Sequence, residues 1–165
     1  MDNKTEILNE YQKGYELIID MLNELPNEVF DYKPSEDKWT VRDIIVHIVD
    51  SELNGSIRLR NAIAENGHTV TPYDQDKWAK QLFYEFQSID DNLELFKHLR
   101  ILNHKLLLNI DHKTWENNYF SHPERGNITV HEHIKELTEH IETHISQILR
   151  NYEHWQEHSK PAKKS

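Results

Sequence analysis

The sequence has no cysteine among its 165 residues, and it has few glycines and prolines. The lack of cysteine excludes disulfide bonds, thiolate metal ligands and a cysteine nucleophile, so any metal ion must be bound by histidine or carboxylate side chains. Because there are only 4 glycines and 5 prolines, little in the chain interrupts helices. This composition favours long helices over short strands and turns.

Long hydrophobic runs are missing as well. No stretch approaches the roughly 18 apolar residues that a membrane span requires, and the first residues, MDNKTEILNEYQKGYEL, have neither the basic region nor the apolar core of a signal peptide. We therefore expect a cytoplasmic protein with no membrane partner. The formal net charge of −10 repels phosphate backbones, so we expect no nucleic acid partner either.

Four long segments carry the hydrophobic periodicity of helices, with apolar residues every three or four positions. These segments run from about residue 4 to 25, from about Trp39 past residue 53, from Ile89 to about Asp111, and from Val130 through Ile148. A capping pattern of Thr40 with Asp43 marks the start of the second segment. We predict a short connecting helix in DQDKWAKQLFYE and a loop over ENNYFSHPERGNIT.

Two of the connections between the predicted helices are long, which does not fit a simple up-down-up-down arrangement. The predicted fold class is therefore all-α, a four-helix bundle with long crossover connections. We expect one bundle domain over residues 1–158 and a polar, disordered C-terminal tail over residues 159–165.

Two pairs of histidines are spaced four residues apart, His140 with His144 and His154 with His158. This spacing places both rings on one face of a helix, close enough to share a metal ion. With 12 histidines in 165 residues, however, chance alone provides about one such pair. The spacing by itself therefore does not establish a site.

The sequence around each pair separates the two. His154 and His158 lie in the polar C-terminal region, where surface histidines are expected. His144 instead occupies a core position of the apolar stripe, between Ile141 and Ile148. Two interpretations stay open for it: a buried histidine that hydrogen-bonds within the core, or a metal ligand with a third partner on another helix.

The second helix offers a third histidine, His47, within the apolar stretch IIVHIVD. Its position is less decisive, because it lies at the edge of the apolar arc and shares that edge with Ser51. Periodicity alone therefore does not select it. The segment HEHIK at the start of the fourth helix lacks the HExxH motif, and we expect it to be solvated. Five other histidines without mutual ligand spacing are expected at the surface: His68, His98, His104, His112 and His122.

The sequence resembles the DinB/YfiT-like family of small metal-binding four-helix bundles. The resemblance rests on PSEDKWTVRDIIVHIVDSELNGSIRLR, on DQDKWA, and on GNITVHEHIKELTEHIETHISQILR with its pattern HxxxHxxQ. It implies an up-down-down-up bundle that binds one divalent ion through His47, His140 and His144. The family includes S-transferases that use small thiols such as bacillithiol or mycothiol, proteins described as metal-dependent hydrolases, and many members without a known activity.

Three neutral imidazoles would leave one coordination position open, which is typical of a catalytic zinc site. Zinc is the ion we expect, with nickel, iron and manganese as alternatives. The small-molecule substrate could be attacked by a low-molecular-weight thiol, which would supply the nucleophile that the chain lacks, or by water in a hydrolysis. The alternative to an enzyme is a non-catalytic module that binds a metal or a small ligand. We expect a homodimer.

Two acidic residues are candidate catalytic groups. Glu52 falls near the centre of the second helix's apolar arc, and we expect it to face the pocket, because a buried unpaired carboxylate is costly. Glu136 lies one turn before His140 and is a candidate for acting on the site; the alternative is an exposed acid that forms an i,i+4 pair with neighbours on its own helix. Arg58 and Arg60 are candidates for binding an anionic substrate, with surface ion pairs as the alternative.

Overall fold

The structure is a computed structural model that describes residues 3–159, and this part of the chain forms six helices and two strands. The four long helices are α1 (Asn3–Asn23), α2 (Val41–Ala64), α4 (Ile89–Asn109) and α6 (Val130–Ser159). The connections contain the short helices α3 (Gln75–Gln81) and α5 (His112–Asn117) and the strands β1 (Tyr119–His122) and β2 (Gly126–Thr129). The predicted all-α, four-helix fold is confirmed.

The core shows the direction of each long helix. One half of the core combines the start of α1, the end of α2, the end of α4 and the start of α6, represented by Leu8, Leu59, Leu107 and Ile134. The other half combines the opposite ends of the same helices, represented by Ile18, Ile44, Phe96 and Ile148. Helices α1 and α6 therefore run one way and α2 and α4 the other, which is the up-down-down-up order.

Helices α1 and α2 lie at opposite corners of the bundle, because each packs against both α4 and α6. The link 65–88 returns along the length of the bundle, since α2 ends and α4 begins at opposite ends. This long crossover carries α3 across the outside of α2. The antiparallel contact of α2 with α6 is the one that positions the candidate site.

The start of α2 is fixed by a capping box, as predicted. Thr40 Oγ1 accepts a hydrogen bond from the Asp43 backbone N–H at 3.1 Å, and Asp43 Oδ2 accepts one from the Thr40 N–H at 3.0 Å. These two bonds satisfy N–H groups that a helix start otherwise leaves unpaired. The cap sets the register in which His47 follows, two turns into the helix.

The loop predicted over ENNYFSHPERGNIT is wrong in part, because it contains an antiparallel hairpin of β1 and β2. Phe120 pairs with Ile128 across the hairpin, and both side chains are buried. The turn ends at Gly126, whose φ of 76° lies in the left-handed region that favours glycine. Each strand has only four residues, too few for a clear alternating pattern in the sequence.

The C-terminal boundary was predicted at residue 158, and α6 ends at Ser159. The rest of the predicted tail, residues 160–165, lies outside the described residues, as do residues 1–2. Within residues 3–159, no helix is both long enough and apolar enough to cross a membrane.

Candidate metal centre

Three histidines from two antiparallel helices converge inside the bundle. Helix α2 contributes His47, and α6 contributes His140 and His144. Nε2 of His140 lies 3.2 Å from Nε2 of His47 and 2.9 Å from Nε2 of His144. One ligand atom from each residue lies within 4.8 Å of the other two. The structure thus brings together the three histidines that the family resemblance implies.

Burial keeps these imidazoles neutral. The pKa of His47 and that of His140 are lowered to about 3, first because burial disfavours a charged ring and then because neighbouring positive charge would repel it. Burial also lowers the pKa of His144, although the hydrogen bond to Gln147 opposes this effect. At pH 7 all three rings therefore offer lone pairs to a cation without first losing a proton.

A hydrogen bond within α6 sets the orientation of one ring. Nδ1 of His144 donates to the amide oxygen Oε1 of Gln147 at 2.8 Å. Because a neutral imidazole carries one proton, this bond leaves the lone pair of His144 on Nε2, the atom that faces the other two rings. A partner of this kind is typical of histidines that bind metals.

On α2, the His47 ring packs against an aromatic side chain and lies beside one hydroxyl group, which a second hydroxyl contacts in turn. It packs against the indole of Trp39 with ring centroids 4.8 Å apart, and its buried Nδ1 has no hydrogen-bond partner within residues 3–159. Its Nε2 lies 3.4 Å from Ser51 Oγ, which is 2.7 Å from the hydroxyl of Tyr73. Ser51 and Tyr73 are therefore the polar groups beside the histidines that sequence reasoning did not select.

The three nitrogens fit a metal ion better than a hydrogen-bond network. Two nitrogens that bind a tetrahedral zinc ion at about 2.0–2.1 Å are about 3.3 Å apart, close to the 3.2 Å and 2.9 Å separations found between these rings. Without a cation, Nε2 of His140 must donate to the lone pair on Nε2 of His144, and it then can neither accept a hydrogen bond from His47 Nε2 nor donate a second one. Within residues 3–159, no carboxylate joins this group.

The sequence match agrees with this geometry. The model of the DinB superfamily matches residues 10–148, a range that includes all three histidines. The chain belongs to the DinB superfamily. A “putative metal-dependent hydrolase” of Oceanobacillus iheyensis is 32% identical over 143 residues, which are 87% of this chain and 82% of the relative. A protein of the same description from Bacillus cereus is 32% identical over 119 residues, 66% of this chain and 68% of that protein.

Two solved structures share the fold of this DinB-superfamily chain. YfiT from Bacillus subtilis, described as “a probable metal-dependent hydrolase with an unusual four-helix bundle topology”, has a TM-score of 0.85 and 20% identity, over 98% of this chain and 90% of YfiT. The four-helix bundle protein TT2238 has a TM-score of 0.65 and 16% identity, over 90% of this chain and 99% of that one. At these identities the likeness establishes the fold alone.

Glu52 of this DinB-superfamily protein lies in the centre of the bundle and is bonded to residues of α1 and α4. Its Oε2 accepts a hydrogen bond from Arg100 Nε at 2.9 Å, and its Oε1 accepts from the Tyr11 hydroxyl and from Asn103 Nδ2 at 3.3 Å. Both Glu52 and Arg100 are almost fully buried. Because Arg100 pairs with the buried carboxylate, the burial of Glu52 no longer indicates that it faces the pocket. No contact of Glu52 supports a catalytic role.

A cavity of about 200 Å³ lies beside His140. Glu136 lines the cavity and forms an ion pair with Arg125 of the hairpin turn. The side chains of this pair are 41% and 50% exposed, so they form the solvent-facing side of the cavity. The ion pair of Glu136 is therefore with the hairpin and not with the i,i+4 neighbour on its own helix that the sequence suggested, and Glu136 also lines the cavity beside His140.

The two candidate arginines have different surroundings. Arg58 lines the cavity together with Ser51 and Tyr73. Arg60 instead donates from Nη1 to Asn103 Oδ1 at 2.8 Å and to the Ser56 carbonyl oxygen at 2.9 Å. Arg60, itself exposed, therefore bonds to the edge of the polar network around Glu52, and Arg58 is the one of these two arginines that lines the cavity.

Two histidines expected in contact with solvent are buried, so those predictions are wrong. His122 is 7% exposed and His133, in the segment HEHIK, is 4% exposed. His133 Nε2 donates to the Gly55 carbonyl oxygen at 2.9 Å, and its ring meets that of Phe120 edge-on at 5.0 Å. The hairpin covers this part of α6, and the periodicity of the helix gives no sign of that cover.

The second histidine pair is not a convergent site. His158 is exposed, while half-buried His154 has its Nδ1 2.7 Å from the Tyr32 hydroxyl. Their two rings stack with centroids 4.0 Å apart, and no third ligand joins them within residues 3–159.

Proposed function

We propose that His47, His140 and His144 bind one divalent metal ion and that the protein is a metal-dependent enzyme acting on a small molecule. The observation that carries the proposal is the convergence of three ring nitrogens, at separations of 2.9 Å and 3.2 Å, beside a cavity. The descriptions of the relatives as metal-dependent hydrolases support it. Zinc is the proposed ion, with nickel, iron and manganese as the alternatives to test.

When bound, such an ion supplies a Lewis acid that lowers the pKa of a water molecule or a thiol in its open position. The residues around it have separate tasks. The neutral imidazoles leave the charge of the ion uncompensated, and Gln147 fixes the orientation of the His144 ring. Beside His47, the hydroxyls of Ser51 and Tyr73 can hydrogen-bond a substrate.

Hydrolysis is the first reaction we propose. Glu136 lines the same cavity as His140, and it is the carboxylate available there to accept a proton from water. The ion pair with Arg125 holds Glu136 on that side of the cavity. For Glu52 we propose a structural part, because its two oxygens are occupied by Arg100, Tyr11 and Asn103.

Transfer of a small thiol is the second candidate, and the composition of the centre favours it. Within residues 3–159, no carboxylate lies with the three ring nitrogens. A thiol has a pKa of about 8.5 whereas water has a pKa of about 15.7, so a thiol beside a metal ion needs no general base. A low-molecular-weight thiol would also supply the nucleophile that a chain without cysteine lacks.

Turnover with and without metal tests the proposed function. The protein is stripped with a chelator and reloaded with one equivalent of zinc, nickel, iron(II) or manganese. Each form is assayed with ester and amide substrates in thiol-free buffer, and then with small thiols and model electrophiles. We expect turnover only after reloading, with hydrolysis in the first assay or loss of free thiol in the second.

One substitution separates the two reactions. If Glu136 is the base of a hydrolysis, Glu136→Gln lowers the rate about 100-fold or more, whereas thiol transfer stays within a few-fold of wild type. Glu139→Gln is the matched control, because Glu139 is an exposed glutamate on the same helix. If metal binds at one equivalent per chain and no assay gives turnover, the proposal that the protein is an enzyme is wrong. The protein is then a non-catalytic module that binds the metal.

We also propose that the protein is a homodimer. Adjacent helices carry exposed apolar side chains, with Ile57 on α2 and Leu102 on α4 each 55% exposed. Burial of such side chains against a second copy would remove them from water. Light scattering on the purified protein should then give twice the chain mass of 19.8 kDa. A single-chain mass at all concentrations would contradict the proposal.

A further inference from the structure

We propose that the cavity beside His140 binds an anionic group of the substrate, with Arg58 as the main binding residue and Arg125 as the second. The substrate class is then a small molecule that carries a carboxylate or a phosphate. The chemistry done on that molecule rests on the proposed function, but binding of the anion can be measured without any metal ion.

Arg58 is a half-buried cation that forms no ion pair with the acidic residues of the described part of the chain. Within residues 3–159, the arginines that form ion pairs are Arg42, Arg100 and Arg125. The side chain of Arg58 has one hydrogen bond, from Nη2 to the Thr71 carbonyl oxygen at 3.3 Å. A guanidinium carries five N–H donors, so most of those on Arg58 remain available to a ligand. Partial burial without an acid is costly, and an anionic ligand would offset that cost.

The cavity extends along α2 and α6 from the histidines toward Arg58. On α2 it is lined by Ser51 at one level and by Arg58 seven residues later. Seven residues of helix cover about 10 Å. On α6, which runs the other way, His140 lines the cavity near Ser51 and His133 lines it further along. A substrate whose anionic group contacts Arg58 therefore points its other end at the metal ligands.

The charges around the cavity favour an anion. Arg58 and Arg125 contribute two positive charges and Glu136 one negative charge, so the formal balance is positive. Two other titratable groups in the lining, His133 and Tyr73, are neutral at pH 7, because burial lowers the pKa of His133 to about 4 and raises the pKa of Tyr73.

This local balance opposes the charge of the whole protein, which is −10. Glu136, the acid that lines the cavity, is already paired with Arg125, so its repulsion of an anion is reduced. A divalent ion on the histidines would add to the positive field. An anion is therefore attracted to this cavity although the remaining surface repels it.

Size and shape narrow the ligand further. A volume of about 200 Å³ equals that of about seven water molecules at roughly 30 Å³ each, so the cavity takes a small molecule or the end of a larger one. The planar fork of a guanidinium matches two oxygens of a carboxylate or of a phosphate. The Arg58 guanidinium lies 6.0 Å from the ring centroid of Phe120 on the hairpin, which also lines the cavity.

An NMR titration of the full chain tests the proposal in the metal-free state. Malonate and inorganic phosphate are added separately at constant ionic strength, and amide shifts of cavity residues such as Gly55 and Phe120 are followed. We expect saturable shifts with at least one anion. A lower Kd for malonate assigns a carboxylate substrate, and a lower Kd for phosphate assigns a phosphorylated one.

The variants make the test specific. Arg58→Gln should raise the Kd at least tenfold, whereas Arg150→Gln, an exposed arginine on α6, should leave it within twofold. If Arg58→Gln does not fold, Arg58→Lys is the test variant, because it keeps the positive charge but loses the planar guanidinium. We expect the Kd of Arg58→Lys for the anion to rise several-fold. The proposal is overturned if neither anion gives saturable shifts in wild type. It is also overturned if the Kd is unchanged in the Arg58 variant, or if Arg150→Gln loses as much affinity as that variant does.

One more variant separates this proposal from the proposed function. His144→Ala removes one of the proposed metal ligands but leaves Arg58 and Arg125 in place. We expect it to keep the wild-type Kd for the anion. A loss of anion binding in His144→Ala, with the fold retained, would show that the anion binds at the histidines and not at the arginines.

Discussion

At the scale of single residues, the candidate centre depends on which ring nitrogens carry lone pairs. The bond from His144 Nδ1 to Gln147 Oε1, at 2.8 Å, settles this for one of the three rings. Metal sites commonly use such outer partners to fix the tautomer and orientation of a ligand histidine. Gln147 is therefore a positioning residue of the proposed centre.

Loss of that bond should weaken metal binding without abolishing it. We expect Gln147→Ala to raise the Kd for zinc about 10–100-fold, because the His144 ring is no longer held in one tautomer. Competition with a chromophoric chelator measures the effect. Gln156→Ala, at an exposed position of the same helix, is the control. Equal affinities in the two variants would contradict a role for Gln147.

The buried His133 predicts a pH dependence of stability in the metal-free protein. Its pKa is about 4 in the folded chain, lowered mainly by burial, and 6.5 is the usual value. Unfolding therefore takes up a proton between pH 4 and pH 6.5, so the free energy of unfolding falls as the pH is lowered through this window. His133 lowers the free energy of unfolding by about 3 kcal/mol near pH 4, and it has no such effect above about pH 7.

Urea unfolding from pH 4.5 to pH 7.5 measures this dependence. The ligand histidines His47 and His140 act in the same direction, so the wild-type slope exceeds that of one proton. His133→Gln should reduce the slope by about one proton, while His98→Gln, at an exposed position, should leave it unchanged. Parallel curves for wild type and His133→Gln would show that His133 titrates normally.

Sequence reasoning reached only some of these residues. Spacing and the apolar stripe single out His140 and His144, because both properties belong to one helix. His47 needed the family resemblance, since it is 93 residues from His140 and periodicity cannot say which helices meet. Arg125 and Tyr73 lie in connections, where no periodic pattern predicts the direction of a side chain.

At the scale of the helices, a buried polar network joins all four members of the bundle. Arg100 of α4 binds the Glu52 carboxylate of α2, and it donates to the carbonyl oxygens of Tyr11 on α1, at 2.6 Å, and Leu137 on α6, at 3.0 Å. Its guanidinium also lies 3.9 Å from the ring centroid of Tyr11. The network fixes how the helices meet, and so how α2 presents His47 to α6.

Removal of one charge should therefore destabilise the whole bundle. We expect Glu52→Gln to lower the free energy of unfolding by about 3–5 kcal/mol, because Arg100 remains buried without its counter-ion. Glu139→Gln, at an exposed position of α6, should change it by less than about 0.5 kcal/mol. Urea denaturation measures both. A small loss in Glu52→Gln, together with a large fall in turnover, would favour the catalytic role predicted from the sequence.

The helices were predictable and the hairpin was not, for a physical reason. A helix of 20 or more residues repeats its apolar spacing several times, as Val130–Ser159 does. The hairpin offers one buried pair, Phe120 with Ile128, on strands of four residues. Its place over α2 and α6 is a tertiary contact, which local periodicity does not encode. The burial of His122 and His133 was missed for the same reason.

At the scale of the whole molecule, the up-down-down-up topology produces the candidate centre. Because α2 and α6 are antiparallel neighbours, a position early in α2 meets the middle of α6, and His47 reaches His140 and His144. The same contact forms the wall of the cavity that holds Arg58. The family match and the YfiT-like fold agree with this arrangement.

Zinc titration of the metal-free protein tests the central claim most directly. Calorimetry with elemental analysis should give one ion per chain for wild type. The control His158→Ala, which changes the other histidine pair with four-residue spacing, should also bind one ion per chain. His144→Ala should lose at least 100-fold in affinity, because two imidazoles alone make a weak site. If wild type binds no ion with zinc, nickel, iron or manganese, or if His144→Ala binds as wild type does, the three histidines are not a metal centre.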